Sequence, residues 1–214
     1  MTTGSVALDQ FDDVAAEYAE AALQALHVDD LLEHIPVFKS GLVAAKVIGS
    51  VRDHLLVKKI AIYLHAISVI PANDRRTMVA RLAADPSFSG DLGEHLIELL
   101  DRLDGRRKPA MVGAVFAAYA FESIDSKMLQ RLNAAIHNLP SMEISAVRLL
   151  DTFNRINAER AKTPRVSPDR LSMQALANAG LAEQDNSPGG LWYKLNETGD
   201  KFLELELDSV NPAN

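Results

Sequence analysis

The residues best able to do chemistry are a run of acids around one histidine. Glu94, His95, Glu98 and Asp101 fall within two turns of a predicted helix, and Glu94, Glu98 and Asp101 share one of its faces. A metal centre between helices would need a second donor pair from a facing helix, such as His54 with Asp53. Nothing in the spacing fixes that pairing, so the acids read as a solvated helix face. His65 lies in the most apolar stretch and reads as a neutral, hydrogen-bonded core histidine. The absence of cysteine excludes a thiolate zinc site, a disulfide framework and a cysteine nucleophile. There is no GxSxG, HExxH, P-loop or Rossmann fingerprint, and Gly41, Gly49, Gly90 and Gly93 are isolated. We therefore assign no catalytic, cofactor or metal residue and expect a non-enzymatic protein.

Charge is laid out unevenly. From Met1 to Glu33 the chain carries eight acids (Asp9, Asp12, Asp13, Glu17, Glu20, Asp29, Asp30, Glu33) and no Lys or Arg. From Ile35 to Ile70 it carries Lys39, Lys46, Arg52, Lys58 and Lys59 against Asp53 alone, in a protein of net charge −7. Arg106, Arg107 and Lys108 form a further basic run, expected as a loop. Together Lys39, Lys46, Arg52, Lys58, Lys59, Arg106, Arg107 and Lys108 are the candidate interaction surface. Complementary charge on adjacent helices is the simplest reason for the acidic and basic segments to follow each other. The sharper reading is that the acidic arm shields the basic surface.

The elements that must position these groups are mostly helical. Apolar residues make up 48% of the 214, aromatics only 6%, and Ala and Leu abound. Phe11, Val14, Ala15, Tyr18, Ala22 and Leu26 predict a helix over 9–27. Ile35-Pro36 opens a second apolar stretch with a kink or break at Gly49-Ser50, and Ile70-Pro71 ends it. The helix from Val51 to Ser68 is apolar almost all round at Ile60 to Ile70 and is expected at the centre of the core. Further helices are predicted over 73–83, from Asp91 to Gly105, from Pro109 to about Ser123, from Asp125 or Ser126 to Leu139, and from Pro140-Ser141 to Ile156. Residues 158–168 carry Pro164 and Pro168 and read as a linker. A helix from Ser167 to Gly180 follows, then two short β runs around Ser187-Pro188-Gly189-Gly190, then an acidic helix over 200–207.

The expected fold is mainly α: a multi-helix bundle over 1–157, and over 158–214 a linker plus a small α+β element with one β-hairpin. The stretch LSMQALANAGLAEQDNSPGGLWYKLNETGDKFLEL, Leu171 to Leu205, resembles the second half of a winged-helix unit. That resemblance implies that the helix ending at Gly180 would enter a DNA groove, offering Arg170, Gln174 and Asn178, while Lys194 on the wing would touch phosphate. Asp169 counters Arg170, and Glu183 and Asp185 counter Lys194, which weighs against phosphate contact. The middle of the chain, with SVRDHLLVKKIAIYL, PANDRRTMVARL and LIELLDRLD, is similar to uncharacterised bacterial helical proteins of prophage and abortive-infection (phage-defence) neighbourhoods.

The leading expectation is a cytoplasmic protein-interaction factor, in phage defence or prophage biology, with a protein partner or a second copy of itself. No secretory signal opens the chain, and the longest charge-free run, Ile60 to Asn73, is too short to span a bilayer. The alternatives are a winged-helix DNA-binding regulator and a membrane-active toxin. In the latter, residues 36–70 would meet an anionic membrane surface.

Overall fold

A computed structural model describes residues 51–88, 92–159, 169–185 and 192–211. The calls on residues 1–50, including the acidic arm, Lys39, Lys46 and the break at Gly49-Ser50, lie outside the described residues, as do most of the linker and the tip of the hairpin. Among the described residues there are eight α-helices and one two-stranded antiparallel sheet. The fold is mainly α with a small β element, as the periodicity indicates.

The chain divides into two compact units, one running to Gly113 and the other from Ala114 to Asn211. The compositional boundary at 157/158 was expected where the proline-bearing stretch begins. The helices before that stretch nevertheless share a compact unit with the hairpin after it.

The first unit contains α1 (Val51–Ile67), α2 (Ala72–Ala84), a short 3-10 turn (Pro86–Phe88), α3 (Leu92–Arg102) and the beginning of α4 (Arg107–Ala120). Ile60, Tyr63, Leu64 and Ile67 recur at helical spacing and are buried, as are Leu96, Leu100 and Leu103 on the α3 side. Helices α1 and α3 pack together, and the Lys59 ammonium donates to the Asp101 carbonyl, 2.8 Å away. Gly113 lets α4 approach α1 closely. A Cβ there would sit 2.4 Å from the Ala66 Cβ and 3.1 Å from the Tyr63 carbonyl oxygen. Proline at position 71 supplies no N–H, so α1 stops and α2 begins with no side-chain cap.

Two expectations about α1 need correcting. It does not lie apolar-side-in all round, and His65 is exposed, not a core histidine. The reason is angular. Each residue turns the helix by ~100°, so His65 points well away from the buried stripe of Leu64, Tyr63 and Ile67 although its neighbours are apolar. Leu55 is exposed for the same reason.

The second unit holds the end of α4, α5 (Ser126–Asn138), a 3-10 turn (Ser141–Glu143), α6 (Ile144–Glu159), α7 (Arg170–Asn178), β1 (Ala182–Asp185), β2 (Trp192–Leu195), α8 (Glu197–Glu204) and a last 3-10 turn (Leu207–Ser209). Its core gathers Leu129, Leu132, Ile136, Ile144, Val147, Met173, Leu176, Leu181, Phe202 and Leu207.

The helix ends follow capping chemistry. Asp125 caps α5 by accepting from the Met128 N–H at 2.7 Å, and Asp169, not Ser167, caps α7. Asn196 caps α8, so that helix starts at Glu197, ahead of the start expected at Asp200 after Thr198 and Gly199. At the end of α7, the Leu181 N–H bonds the Leu176 carbonyl and the Gly180 N–H bonds the Ala177 carbonyl. Gly180 takes φ +80°, which completes a Schellman turn and sets the chain directly into β1.

Candidate interaction surfaces

The hairpin is built from four residue pairs: Ala182 with Leu195, Glu183 with Lys194, Gln184 with Tyr193, and Asp185 with Trp192. This register puts Lys194 directly across from a carboxylate, and the two form an ion pair of 2.9 Å. Lys194 is thus neutralised by its own sheet partner. On the outer edge of β2, the Asn154 side chain of α6 donates to the Tyr193 carbonyl at 3.0 Å and accepts from the Leu195 N–H at 3.4 Å. One side-chain amide stands in for a third strand.

On α7, Arg170, Gln174 and Asn178 stand at i, i+4 and i+8 and are all exposed, so they form one outward stripe opposite the buried Met173 and Leu176. Beside them Leu171 is 78% exposed. Asp169 is committed to the helix start: one of its oxygens accepts from the Leu171 and Ser172 N–H groups, each at 3.1 Å. Its charge therefore stays fixed beside Arg170. The 3-10 turn before α6 packs against α7 and carries Met142, 84% exposed. This side of the unit mixes polar and large apolar groups, with one cation on the α7 stripe.

An open cleft of about 720 Å³ lies between α5, the end of α7, the hairpin and the start of α8. It is lined by Arg131, Asn138, Asn178, Glu183, Asn196 and Glu197, among others. Several of its polar groups are already engaged. Arg131 pairs with Glu197 at 2.9 Å, Asn196 donates to the Gly180 carbonyl, Asn138 meets His137, and Glu183 holds Lys194. Such a set stabilises the junction and leaves little unsatisfied chemistry for a ligand.

In the first unit the basic residues separate into distinct roles. Lys108 is 1% exposed and paired with Asp104 one turn earlier, so its place on the candidate surface is corrected. Arg107 and Lys108 belong to the first turn of α4, and only Arg106 lies before the helix. A charged run looks like a solvated loop in sequence. Here the helix start turns Lys108 inward, where the carboxylate on the preceding turn compensates it. Lys59 is tied to Asp101, as above. The Arg52 side chain lies outside what is described.

Lys58 and Arg106 do come together. Partial burial holds the Lys58 pKa below the usual lysine value, and the nearby Arg106 guanidinium adds to the effect. Neither cation has a hydrogen bond or ion pair among the described residues. Lys58 also shares a helix face with Leu55, Ile62 and His65, since these four positions fall within ~80° around α1.

Among the described residues no group of three or more His, Asp or Glu side chains is placed to hold a metal ion. On α3, His95 is exposed and meets Phe88 edge to face at 6.1 Å, and Glu98 pairs with Arg102. No described helix is long and apolar enough to cross a membrane; Leu55–Ile67 and Ala72–Ala84 reach that length and apolarity only together, across a bend of 115°.

Sequence patterns located the α7 stripe and the Glu183–Lys194 opposition. They missed Asn154 and Asp104, because each acts on a group whose position is set by the fold. An asparagine in mid-helix was the one available signal for the first. Comparison with protein-family models, with curated proteins and with solved structures finds no match for this chain.

Proposed function

We propose that this protein is a non-enzymatic interaction factor whose C-terminal, winged-helix-like end docks a protein partner through the outer face of α7. The observation that carries the reading is the composition of that face. It joins Leu171, 78% exposed, to Arg170, Gln174 and Asn178, and its nearest wing cation is held by Glu183. Exposed large apolar groups rimmed by polar ones suit protein contact. Phosphate binding needs several uncompensated cations, because released counterions supply most of the affinity. Prophage or phage-defence biology is the setting proposed for this factor, and it rests on the likeness of the helical middle of the chain.

The test is a pull-down with the full chain from phage-challenged cells, run beside Leu171→Asp. A partner captured by the natural chain and lost with Leu171→Asp supports the reading. Equal capture by both overturns the assignment to α7.

A second reading has its own observation, the i, i+4, i+8 alignment of Arg170, Gln174 and Asn178. If these read bases, the chain retards duplex DNA in a salt-dependent way, and Arg170→Ala with Lys194→Ala weakens it. Binding unchanged by both substitutions removes this reading.

A further inference from the structure

The last 3-10 turn, Leu207–Ser209, packs against α6 and α8. Leu207 is fully buried there, and the Asp208 side chain is 6% exposed. The Arg148 guanidinium of α6 grips both carboxylate oxygens: Nη2 donates to Oδ1 at 2.7 Å, and Nε donates to Oδ2. The seat thus fits an apolar residue followed directly by a carboxylate. The bonds that shape the turn stay inside it. The Ser209 N–H and hydroxyl both donate to the Glu206 carbonyl, at 3.0 and 2.8 Å, and the Val210 N–H donates to the Leu207 carbonyl. A change of φ at Glu206 swings the turn away from the seat without breaking any of these three bonds.

Glu206 joins the turn to α8 at φ +52° and ψ +31°, a left-handed conformation that disfavours any residue bearing a Cβ. The relaxed alternative is a right-handed helix. Leu203 to Leu207 reads Leu-Glu-Leu-Glu-Leu, all good helix formers, so α8 can continue through this hinge. That continuation carries Leu207 and Asp208 out of their own seat. A short strained hinge is the setting in which an element is exchanged between copies, because the exchanged form keeps the native contacts and relieves the hinge.

We infer that the seat between α6 and α8 is an interface for a second copy of this chain, filled reciprocally by the Leu207–Ser209 turn of each. The pairing is two-fold: Arg148 of one copy grips Asp208 of the other, and the reverse holds in the same dimer. This surface is separate from the α7 face and works whether or not that face has a partner.

Charge reversal of each half tests the exchange in the full chain. Arg148→Asp sets two carboxylates against each other at the seat, and Asp208→Arg sets two guanidinium groups against each other. The natural chain should form a dimer in sedimentation equilibrium, and each variant alone should be a monomer. An equimolar mixture of the two variants restores both pairs in one dimer. Its dissociation constant should fall on the order of tenfold or more below that of either variant alone. Glu206→Gly takes up the left-handed hinge without strain, so it should weaken the natural dimer about tenfold. Circular dichroism checks that every variant keeps its helices. A mixture that stays monomeric overturns the proposal, as does a natural chain that is monomeric at its highest soluble concentration. A dimer that either single variant retains, or that Glu206→Gly leaves unchanged, also overturns it, because the contact then lies elsewhere.

Discussion

At the scale of single residues, the close contacts decide which substitutions the protein can accept. Tyr63 is fully buried on α1, and burial holds its phenol protonated well above the ordinary tyrosine value of 10.0. A group whose folded pKa is raised contributes stability that is present below its unfolded pKa and lost as pH rises beyond it. The protein should therefore lose stability as pH rises past 10, and Tyr63→Phe should flatten that loss in urea unfolding measured across the alkaline range. Gly199 shows a steric constraint of a different kind. A Cβ there would lie 2.1 Å from the Leu181 carbonyl oxygen, which is backbone and cannot step aside. Gly199→Ala is expected to destabilise by about 2 kcal/mol or more, read as a lower urea midpoint with unchanged slope. The glycine after Asn196-Glu197-Thr198 is thus needed for the approach of α8 to the end of α7.

At the scale of elements, polar side chains join what the apolar pattern only brings near. Asn154 binds α6 to both a carbonyl and an N–H of β2, so Asn154→Ala leaves two backbone groups of a part-buried strand unpaired. The expected loss is about 1–3 kcal/mol. Amide exchange at Leu195 should rise with it, whereas an exposed control such as Thr152→Ala leaves that amide unchanged. The turn between α3 and α4 depends on the buried Lys108 and its partner Asp104. Removing one partner strands the other charge, whereas an apolar side chain of similar length removes the charge that needed compensation. Asp104→Asn should lower the melting temperature more than Lys108→Met, and the reverse order would show that Asp104 is not the compensating group.

At the scale of the whole molecule, the chain carries two cores, and each should report on itself. Leu64→Ala in the first unit and Phe202→Ala in the second each open a cavity expected to cost about 2–5 kcal/mol. Hydrogen exchange should rise mainly among residues up to Gly113 for the first change, and mainly from Ala114 onward for the second. Uniform loss of protection in both would mean that the two units unfold as one.

Much of this architecture was legible because helical periodicity and caps are local. Asp125, Pro71 and the apolar steps of α5 and α6 needed no distant information. The α7 stripe was legible for the same reason, since a spacing of four keeps residues on one side. The inward turn of Lys108 was not, because it depends on where α4 starts. The exposure of His65 was not either, because a helix with apolar residues on every side gives no clear phase. The meeting of Lys58 with Arg106 joins residues from α1 and from the approach to α4, and no local pattern fixes such a pairing.

The amide of Asn154 has one more implication. A two-stranded hairpin normally offers two free borders to any extended chain, and so invites added strands, swapped protomers or fibrils. Here the β2 border is already occupied over Tyr193 and Leu195 by groups of the same molecule. A peptide joining this sheet by main-chain pairing would have to enter along β1, beside Glu183 and Gln184. The direction and sequence of any such recruit are therefore restricted to what that acidic border accepts.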